Sequence, residues 1–93
     1  MIMAKIKARE WLVRFEHCSD NTQGVYRKAP SYPKALQIAA EIATKHLDRC
    51  DDAIANQIQT AYKAAEYEKA VDLFIADQEA GGDCELEVVP LNL

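Results

Sequence analysis

Two stretches in the first third of the chain alternate apolar and polar residues, which is typical of β-strands. Residues 9–18 predict a first strand and residues 25–29 a shorter second one. The apolar face of the first strand consists of Trp11, Val13 and Phe15. Residues 19–24 are rich in turn-forming types and predict a chain reversal, and Pro30 ends the second strand because proline cannot donate to a strand ladder.

From Ser31 onward the apolar residues recur at steps of three and four, which is the spacing of a helix. Ser31 can cap the N–H groups of the first turn, where Pro33 is also tolerated. The pattern continues to about Glu79, and the glycines at 81–82 end it. A single helix over 31–79 would be ~73 Å long at about 1.5 Å per residue, which is far longer than a domain of this size is wide.

The helical region must therefore break, and the sequence offers two places. The first is Asp48–Asp52, because aspartate is a poor residue inside a helix but a good N-cap. The second is the short stretch Ala65–Tyr67. The pattern alone leaves open whether the region breaks at the first place or at the second.

Residues 84–89 alternate again and predict a closing strand that ends at Pro90. We expect this strand to pair antiparallel with the first one, which makes the first strand central. Glu85 and Glu87 then point away from the apolar face, and Arg14 lies near one of them in a favourable cross-strand pair.

The predicted fold is α+β, with a two- or three-stranded antiparallel sheet in the order β-β-α-α-β, covered on one face by two or three helices. A length of 93 residues allows a single domain over 1–93. The predicted core combines the apolar face of the strands with the helical stripe: Trp11, Val13, Phe15, Leu36, Ile54, Ile58, Phe74, Leu86 and Val88.

The net charge of −4 is distributed unevenly along the chain. Residues 1–47 hold eight Lys or Arg and four acids, a balance of +4, whereas residues 48–93 hold three Lys or Arg and eleven acids, a balance of −8. Such a polarised charge distribution steers association and selects partners of opposite sign.

The sequence also indicates a cellular compartment. Its three cysteines are odd in number and widely spaced, unlike the even, closely spaced set of a small secreted scaffold. The first residues lack the apolar core of a secretion signal, and no apolar run approaches the ~20 residues that span a bilayer. We therefore expect a cytoplasmic protein that does not bind membranes.

Neither metal binding nor catalysis is favoured by the residue pattern. His46, Cys50, Cys18 and Cys84 could supply zinc ligands, but they come from four separate places and form no Cys-x-x-Cys pair. His17 and Cys18 are neighbours on a strand, so their side chains point to opposite faces and do not form a nucleophile–base pair. We predict no catalytic residue, no metal, no cofactor and no enzymatic activity.

The first half of the chain holds basic and aromatic residues of the kinds that bind nucleic acids. The basic residues are Lys5, Lys7, Arg9, Arg14, Arg27, Lys28 and Lys34, and the aromatic residues that could stack on bases are Tyr26 and Tyr32. The chain as a whole is nevertheless acidic and carries no known nucleic-acid-reading motif. Direct nucleic-acid binding is therefore not expected, and a nucleic-acid-associated accessory protein is kept as the alternative.

The chain combines a small size, an acidic balance and no catalytic motif with a predicted β-hairpin. The hairpin is followed by Pro30-Ser31-Tyr32-Pro33-Lys34-Ala35-Leu36. The chain resembles the small single-domain inhibitors that phages and mobile elements encode, including anti-CRISPR proteins. The resemblance implies stoichiometric binding to a host nucleic-acid-binding complex through acids that occupy its basic surface.

The expected function is thus that of a protein-binding module whose partner is a protein within such a nucleoprotein complex. The expected contacts are solvent-facing acids of the late helix and the closing strand: Glu66, Glu68, Asp72, Asp77, Glu85 and Glu87. A third possibility, besides the accessory protein, is a structural homodimer whose helices pair.

Overall fold

A computed structural model of the chain describes residues 10–17 and 24–91, with an α+β fold in that part. The strands are β1 (Trp11–His17), β2 (Val25–Ala29) and β3 (Cys84–Pro90), and the helices are α1 (Tyr32–Thr44), α2 (Asp52–Lys63) and α3 (Tyr67–Gly81). The predicted class and strands are confirmed. The element order is β-β-α-α-α-β, because the helical region divides into three helices.

Several residues that carried sequence-based expectations lie outside the described part. They are Cys18, most of the predicted turn at 19–24, and the basic residues Lys5, Lys7 and Arg9.

The three strands form an antiparallel sheet in the order β2-β1-β3, so the predicted central position of β1 and its pairing with β3 are confirmed. Phe15 lies opposite Val25 on β2 and opposite Leu86 on β3, which places these three side chains on one face of the sheet. The helices pack on this face, where the rings of Phe15 and Phe74 are 6.2 Å apart. We call it the helical face, and the opposite one the outer face.

Helix α1 begins where the capping pattern predicts. The Oγ atom of Ser31 accepts a hydrogen bond from the N–H of Lys34 at 3.3 Å, and Pro33 lies in the first turn. The buried side of the helix is built mainly from small residues: Ala35, Ile38, Ala39, Ala40, Ile42 and Ala43. This side of α1 contacts both the sheet and α3.

The predicted break at Asp48–Asp52 is confirmed. A 3-10 turn over Leu47–Arg49 separates α1 from α2. The carboxylate of Asp51 accepts a hydrogen bond from the N–H of Ala53 at 3.2 Å and so caps the start of α2.

The second predicted break, at Ala65–Tyr67, is also used. The N–H of Glu66 donates to the carbonyl of Ala61 at 2.8 Å, and the N–H of Ala65 donates to the carbonyl of Tyr62 at 3.0 Å. These two bonds form a Schellman motif, which requires a left-handed residue at its turn. Ala65 occupies that position with a φ of 61°.

The core agrees with the predicted set. The predicted residues that are buried are Val13, Phe15, Ile58, Phe74 and Leu86, and those that are half-buried against the core are Trp11, Leu36, Ile54 and Val88. One polar residue, Gln78, is only 5% exposed and was not predicted to be buried. Its burial places a hydrogen-bonding side chain between α3, the 3-10 turn and the start of β3.

Candidate functional site

The outer face of the sheet carries a cluster of charged side chains joined by salt bridges. Its residues are Leu12, Arg14 and Glu16 on β1, Tyr26 and Lys28 on β2, and Glu85, Glu87 and Val89 on β3. No described helix packs on this face, and Tyr26 is 55% exposed there. Residues 10–17 and 24–91 thus leave the outer face uncovered, whereas the helical face is filled by the core.

Arg14 lies at the centre of the outer face, between three carboxylates. Its Nε atom donates to Oε1 of Glu87 at 2.9 Å, and Nη1 donates to Oε1 of Glu16 at 2.8 Å. Glu85 lies 3.7 Å from Nη2. The hydrogen bond to Glu87 raises the pKa of Arg14, so the guanidinium stays charged. The predicted proximity of Arg14 to Glu85 and Glu87 is confirmed.

Tyr26 holds the second carboxylate oxygen of Glu16. Its hydroxyl donates to Oε2 of Glu16, and this bond lowers the pKa of Glu16 and raises the pKa of Tyr26. Glu16 is thus fixed by both of its oxygens, one on Arg14 and one on Tyr26. Glu16 was not among the residues predicted from the sequence to form the site. Its position next to Phe15 on the predicted central strand could have placed it on the same face as Arg14.

The charge of this group is negative. Glu16, Glu85 and Glu87 contribute three negative charges against the single positive charge of Arg14, which leaves about −2 around Arg14 at neutral pH. Lys28, on the same face, brings the outer face as a whole to about −1. Salt bridges at such exposed positions contribute little to folding stability. Their consequence is a fixed arrangement of carboxylates on a rigid sheet.

The structure does not bring the six predicted contact residues together on one surface. Glu85 and Glu87 lie on the outer face of the sheet. The exposed residues near the start of α3 are Glu66, Glu68 and Asp72. Asp77, further along α3, is half-buried and accepts a hydrogen bond from Nε2 of Gln78 at 3.1 Å.

The acids near the start of α3 have a different environment from those of the outer face. Nζ of Lys69 lies 4.0 Å from Glu66, which offsets part of the negative charge. Glu68 and Asp72 lie near Tyr32, and together with burial, which is the larger cause, they raise the pKa of its hydroxyl. The ring of Tyr32 packs on Trp11 with centroids 4.7 Å apart.

A cleft of about 380 Å³ lies beside β3, between the strand and α3. Its lining consists of Ile75, Gln78, Glu79, Gly82, Asp83, Cys84, Glu85, Leu86 and Glu87. Gln78 closes one end: its Nε2 donates to the carbonyl of Arg49 at 3.1 Å, and its Oε1 accepts from the N–H of Cys84 at 3.2 Å. A salt bridge of 3.3 Å joins Arg49 to Asp83 at the same end.

The candidate zinc ligands occupy positions that other contacts explain. His46 stacks on Phe15 with ring centroids 4.4 Å apart. Cys50 lies 3.8 Å from Nε2 of Gln78, and burial raises the pKa of its thiol to about 11, with a further contribution from Asp77. Within residues 10–17 and 24–91, no three metal-ligating side chains come together. The absence of a structural metal remains a prediction, which a melting temperature measured before and after chelation will test.

The basic residues of the first half that the structure describes lie on different elements and on both faces of the sheet. Arg27 and Lys28 are exposed on β2, and Lys34 is exposed in the first turn of α1. Arg14, by contrast, is held by the carboxylates of the outer face.

The chain matches no protein-family model, no curated protein and no solved structure. None of the helices in the described residues has the length and apolar character needed to cross a membrane. The geometry and charge of the outer face and of the cleft beside β3 are therefore the basis for a functional conclusion.

Proposed function

We propose that this protein is a non-enzymatic binding module that docks the outer face of its sheet onto a basic surface of a partner protein. The observation that carries the proposal is the cluster of Glu16, Glu85 and Glu87 around a single arginine on a face that no described helix covers. Potentials of opposite sign across an interface accelerate association and exclude partners of like charge.

The rigidity of this cluster favours binding. Glu87 is held by Arg14 of the neighbouring strand, and Glu16 is held by Arg14 of its own strand and by Tyr26 of β2. A side chain that is already ordered loses less conformational entropy when it is buried in an interface. The outer face thus offers carboxylates at fixed positions, which suits a basic surface of matching spacing.

The acids near the start of α3 are a weaker candidate for the main contact, because they are less firmly ordered. The ion pair of Glu66 with Lys69 is 4.0 Å long, whereas Arg14 holds Glu16 and Glu87 by hydrogen bonds of 2.8 and 2.9 Å. We therefore assign the principal contact to Glu85 and Glu87. A nucleic-acid-binding host complex is a suitable partner class, because its basic surface would accept such a cluster as it accepts phosphates, in keeping with an inhibitor of the phage-encoded kind.

The test is capture of a partner from host lysate by the tagged protein and by two variants with matched charge changes. Glu85→Gln/Glu87→Gln removes two charges from the outer face, and Glu68→Gln/Asp72→Asn removes two from α3. Circular dichroism establishes that both variants fold. The proposal expects that nuclease-resistant capture is lost in the first variant and kept in the second. It also expects that salt weakens capture, since the Debye length is ~8 Å at physiological ionic strength.

Three outcomes would contradict the proposal. Loss of capture only in the α3 variant would move the contact to the helix. Release of the partner by nuclease would favour the nucleic-acid-associated alternative. Its exposed basic side chains would then be Arg27 and Lys28 on β2. A protein that captures nothing and sediments as a dimer would favour the structural homodimer.

A further inference from the structure

Strand β3 lies at the edge of the sheet. In the sheet order β2-β1-β3, it pairs with β1 on one side, and no strand among the described residues pairs with it on the other. With seven residues, it is as long as the central strand. An edge strand of this length presents a row of backbone donors and acceptors to which another extended chain can pair.

The hydrogen-bonding phase of β3 identifies which of its backbone groups face outward. The N–H of Leu91 donates to the carbonyl of Glu10 at 2.9 Å. Bonded pairs alternate along an antiparallel ladder, so Val89 and Glu87 direct their backbone groups towards β1. Leu86 and Val88 alternate with these residues, so their N–H and C=O groups point towards the open edge.

Two neighbouring residues agree with this phase. The N–H of Cys84, which has the same parity as Leu86, points away from β1 and donates to Oε1 of Gln78 at 3.2 Å. Pro90 has that parity too, and proline is tolerated there because its missing N–H would face the edge and not the ladder. Leu86 and Val88 are therefore the two positions of β3 that offer both a donor and an acceptor to an added strand.

The cleft of about 380 Å³ runs along this same edge. Its lining combines Ile75 and Gln78 of α3 with residues from both faces of β3, so it follows the edge of the strand and not only one side of the sheet. A groove between an edge strand and a helix is the geometry in which extended peptides bind by strand addition, with side-chain pockets that give specificity.

The charge of the cleft selects the kind of peptide. Its acidic lining residues are Glu79, Asp83, Glu85 and Glu87, and no basic residue of the described chain is among the lining. Arg49 and Arg14 reach Asp83 and Glu87 from outside it. A segment that enters this cleft therefore meets an excess of negative charge.

The geometry points to an extended, lysine- or arginine-containing segment of a partner protein that adds to β3 as an antiparallel fourth strand. This inference rests on the proposed function and specifies how the partner binds. Residues of the added strand opposite Leu86 and Val88 exchange backbone hydrogen bonds with these two residues. The side chains of the added residues lie on the helical face, where the one opposite Leu86 enters the cleft beside Ile75. Residues opposite Glu85 and Glu87 place their side chains on the outer face, so basic residues fit there and apolar ones fit at the alternate positions.

Charge disfavours a second copy of this chain at the same edge. Two β3 strands paired about a two-fold axis would bring Glu85 and Glu87 of one copy next to those of the other, and like charges in directly opposed pairs are destabilising. A basic strand instead converts the same positions into favourable pairs.

The probe that tests this inference is an eight-residue peptide of alternating lysine and valine with blocked ends. Isothermal calorimetry with the full chain measures its affinity. Two methylated forms serve as matched probes: one has N-methyl groups on the valine amides, which would face β3, and the other has them on the lysine amides, which would face away. A peptide of alternating glutamate and valine serves as the charge control.

We expect the lysine–valine peptide to bind and the glutamate–valine peptide not to bind. Methylation of the valine amides should weaken binding about tenfold or more, because it removes the hydrogen bonds to Leu86 and Val88. Methylation of the lysine amides should change the affinity by less than about threefold, because those N–H groups make no bond to β3 in this register.

Hydrogen exchange gives a second readout without any substitution. On peptide binding, the amides of Leu86 and Val88 should exchange more slowly, while the amide of Glu87, already bonded to β1, should change little. Equal tolerance of both methylated peptides, or unchanged exchange at Leu86 and Val88, would overturn strand addition. It would leave the proposed function standing, because that function depends on the loss of lysate capture in Glu85→Gln/Glu87→Gln. Protection of the two amides that grows with protein concentration in the absence of peptide would instead assign the edge to a second copy.

Discussion

Replacement of Gly82 by alanine is expected to disrupt the hydrogen bonds around Gln78. A Cβ atom at residue 82 would lie 1.9 Å from Oε1 and 2.4 Å from Cδ of Gln78, far inside the contact distance of non-bonded atoms. Gly82 has a φ of −90°, which any residue adopts, so the clash and not the backbone is the source of the cost. The amide of Gln78 cannot move aside freely, because it bonds Arg49 and Cys84 at once.

The size of the effect follows from the groups that lose their partner. The N–H of Cys84, a residue only 5% exposed, loses the Oε1 acceptor at a cost of about 1–3 kcal/mol. The hydrogen bond that the carbonyl of Arg49 accepts from Nε2 is partly buried, and its loss costs about 0.5–1.5 kcal/mol. We therefore expect Gly82→Ala to lower the free energy of unfolding by roughly 2–4 kcal/mol, a large share of the ~5–15 kcal/mol of a typical domain.

Urea unfolding followed by circular dichroism measures this change, and the adjacent glycine supplies the control. A Cβ atom at Gly81, the last residue of α3, meets nothing within 4 Å, so Gly81→Ala should stabilise the protein by about 0.4–1 kcal/mol. In a Gln78→Ala background the clashing atoms are gone, and Gly82→Ala should then cost less than about 0.5 kcal/mol. A penalty of the same size in both backgrounds would refute the reasoning.

Three further predictions concern the core, the α2–α3 turn and a thiol. Phe74→Ala should lower the free energy of unfolding by ~3–5 kcal/mol in urea, since Phe74 is fully buried. Ala65→Gly should raise the melting temperature by relieving the φ of 61°, whereas Ala64→Gly, at a φ of −86°, should lower it. The pKa of Cys50, raised to about 11 by burial and then by Asp77, predicts slow alkylation at pH 8.5 and faster alkylation in Asp77→Asn, as measured by peptide mapping. Because the unfolded thiol ionises first, this group also lowers stability as pH rises from about 9 towards 11.

The strands and their faces could be predicted because alternation is a local signal. The side chains of Val13 and Phe15 are both apolar with charged Arg14 between them, so only one assignment of faces buries the apolar pair. The same reasoning on β3 predicted that Arg14 would meet Glu85 or Glu87, and the register of β1 with β3 confirms it. The start of α1 was also predictable, since Ser31 caps the helix through its own side chain.

The number of helices and the burial of Gln78 depend on contacts that no local pattern reports. The turn after α2 is closed by Ala65 in a left-handed conformation, where glycine is the usual residue, so the sequence lacks the common signal for that end. Gln78 falls on the buried side of α3 but is polar. Its burial requires partners on Arg49 and Cys84, which are distant in sequence, and only the folded chain brings them together.

The acids of the second half lie on two separate surfaces, and this separation also depends on both local pattern and long-range contacts. Glu68 and Asp72 are close in sequence to Glu85 and Glu87, and composition treats the four as one acidic region. The alternation of β3 directs Glu85 and Glu87 to the outer face, whereas α3 packs on the helical face. Whether β3 has a free edge depends in turn on the strand order, which places β2 on the other side of β1. A partner that binds through Glu85 and Glu87 therefore meets an open sheet edge as well as a charged face, and the methylated peptides distinguish the contribution of the edge from that of the charge.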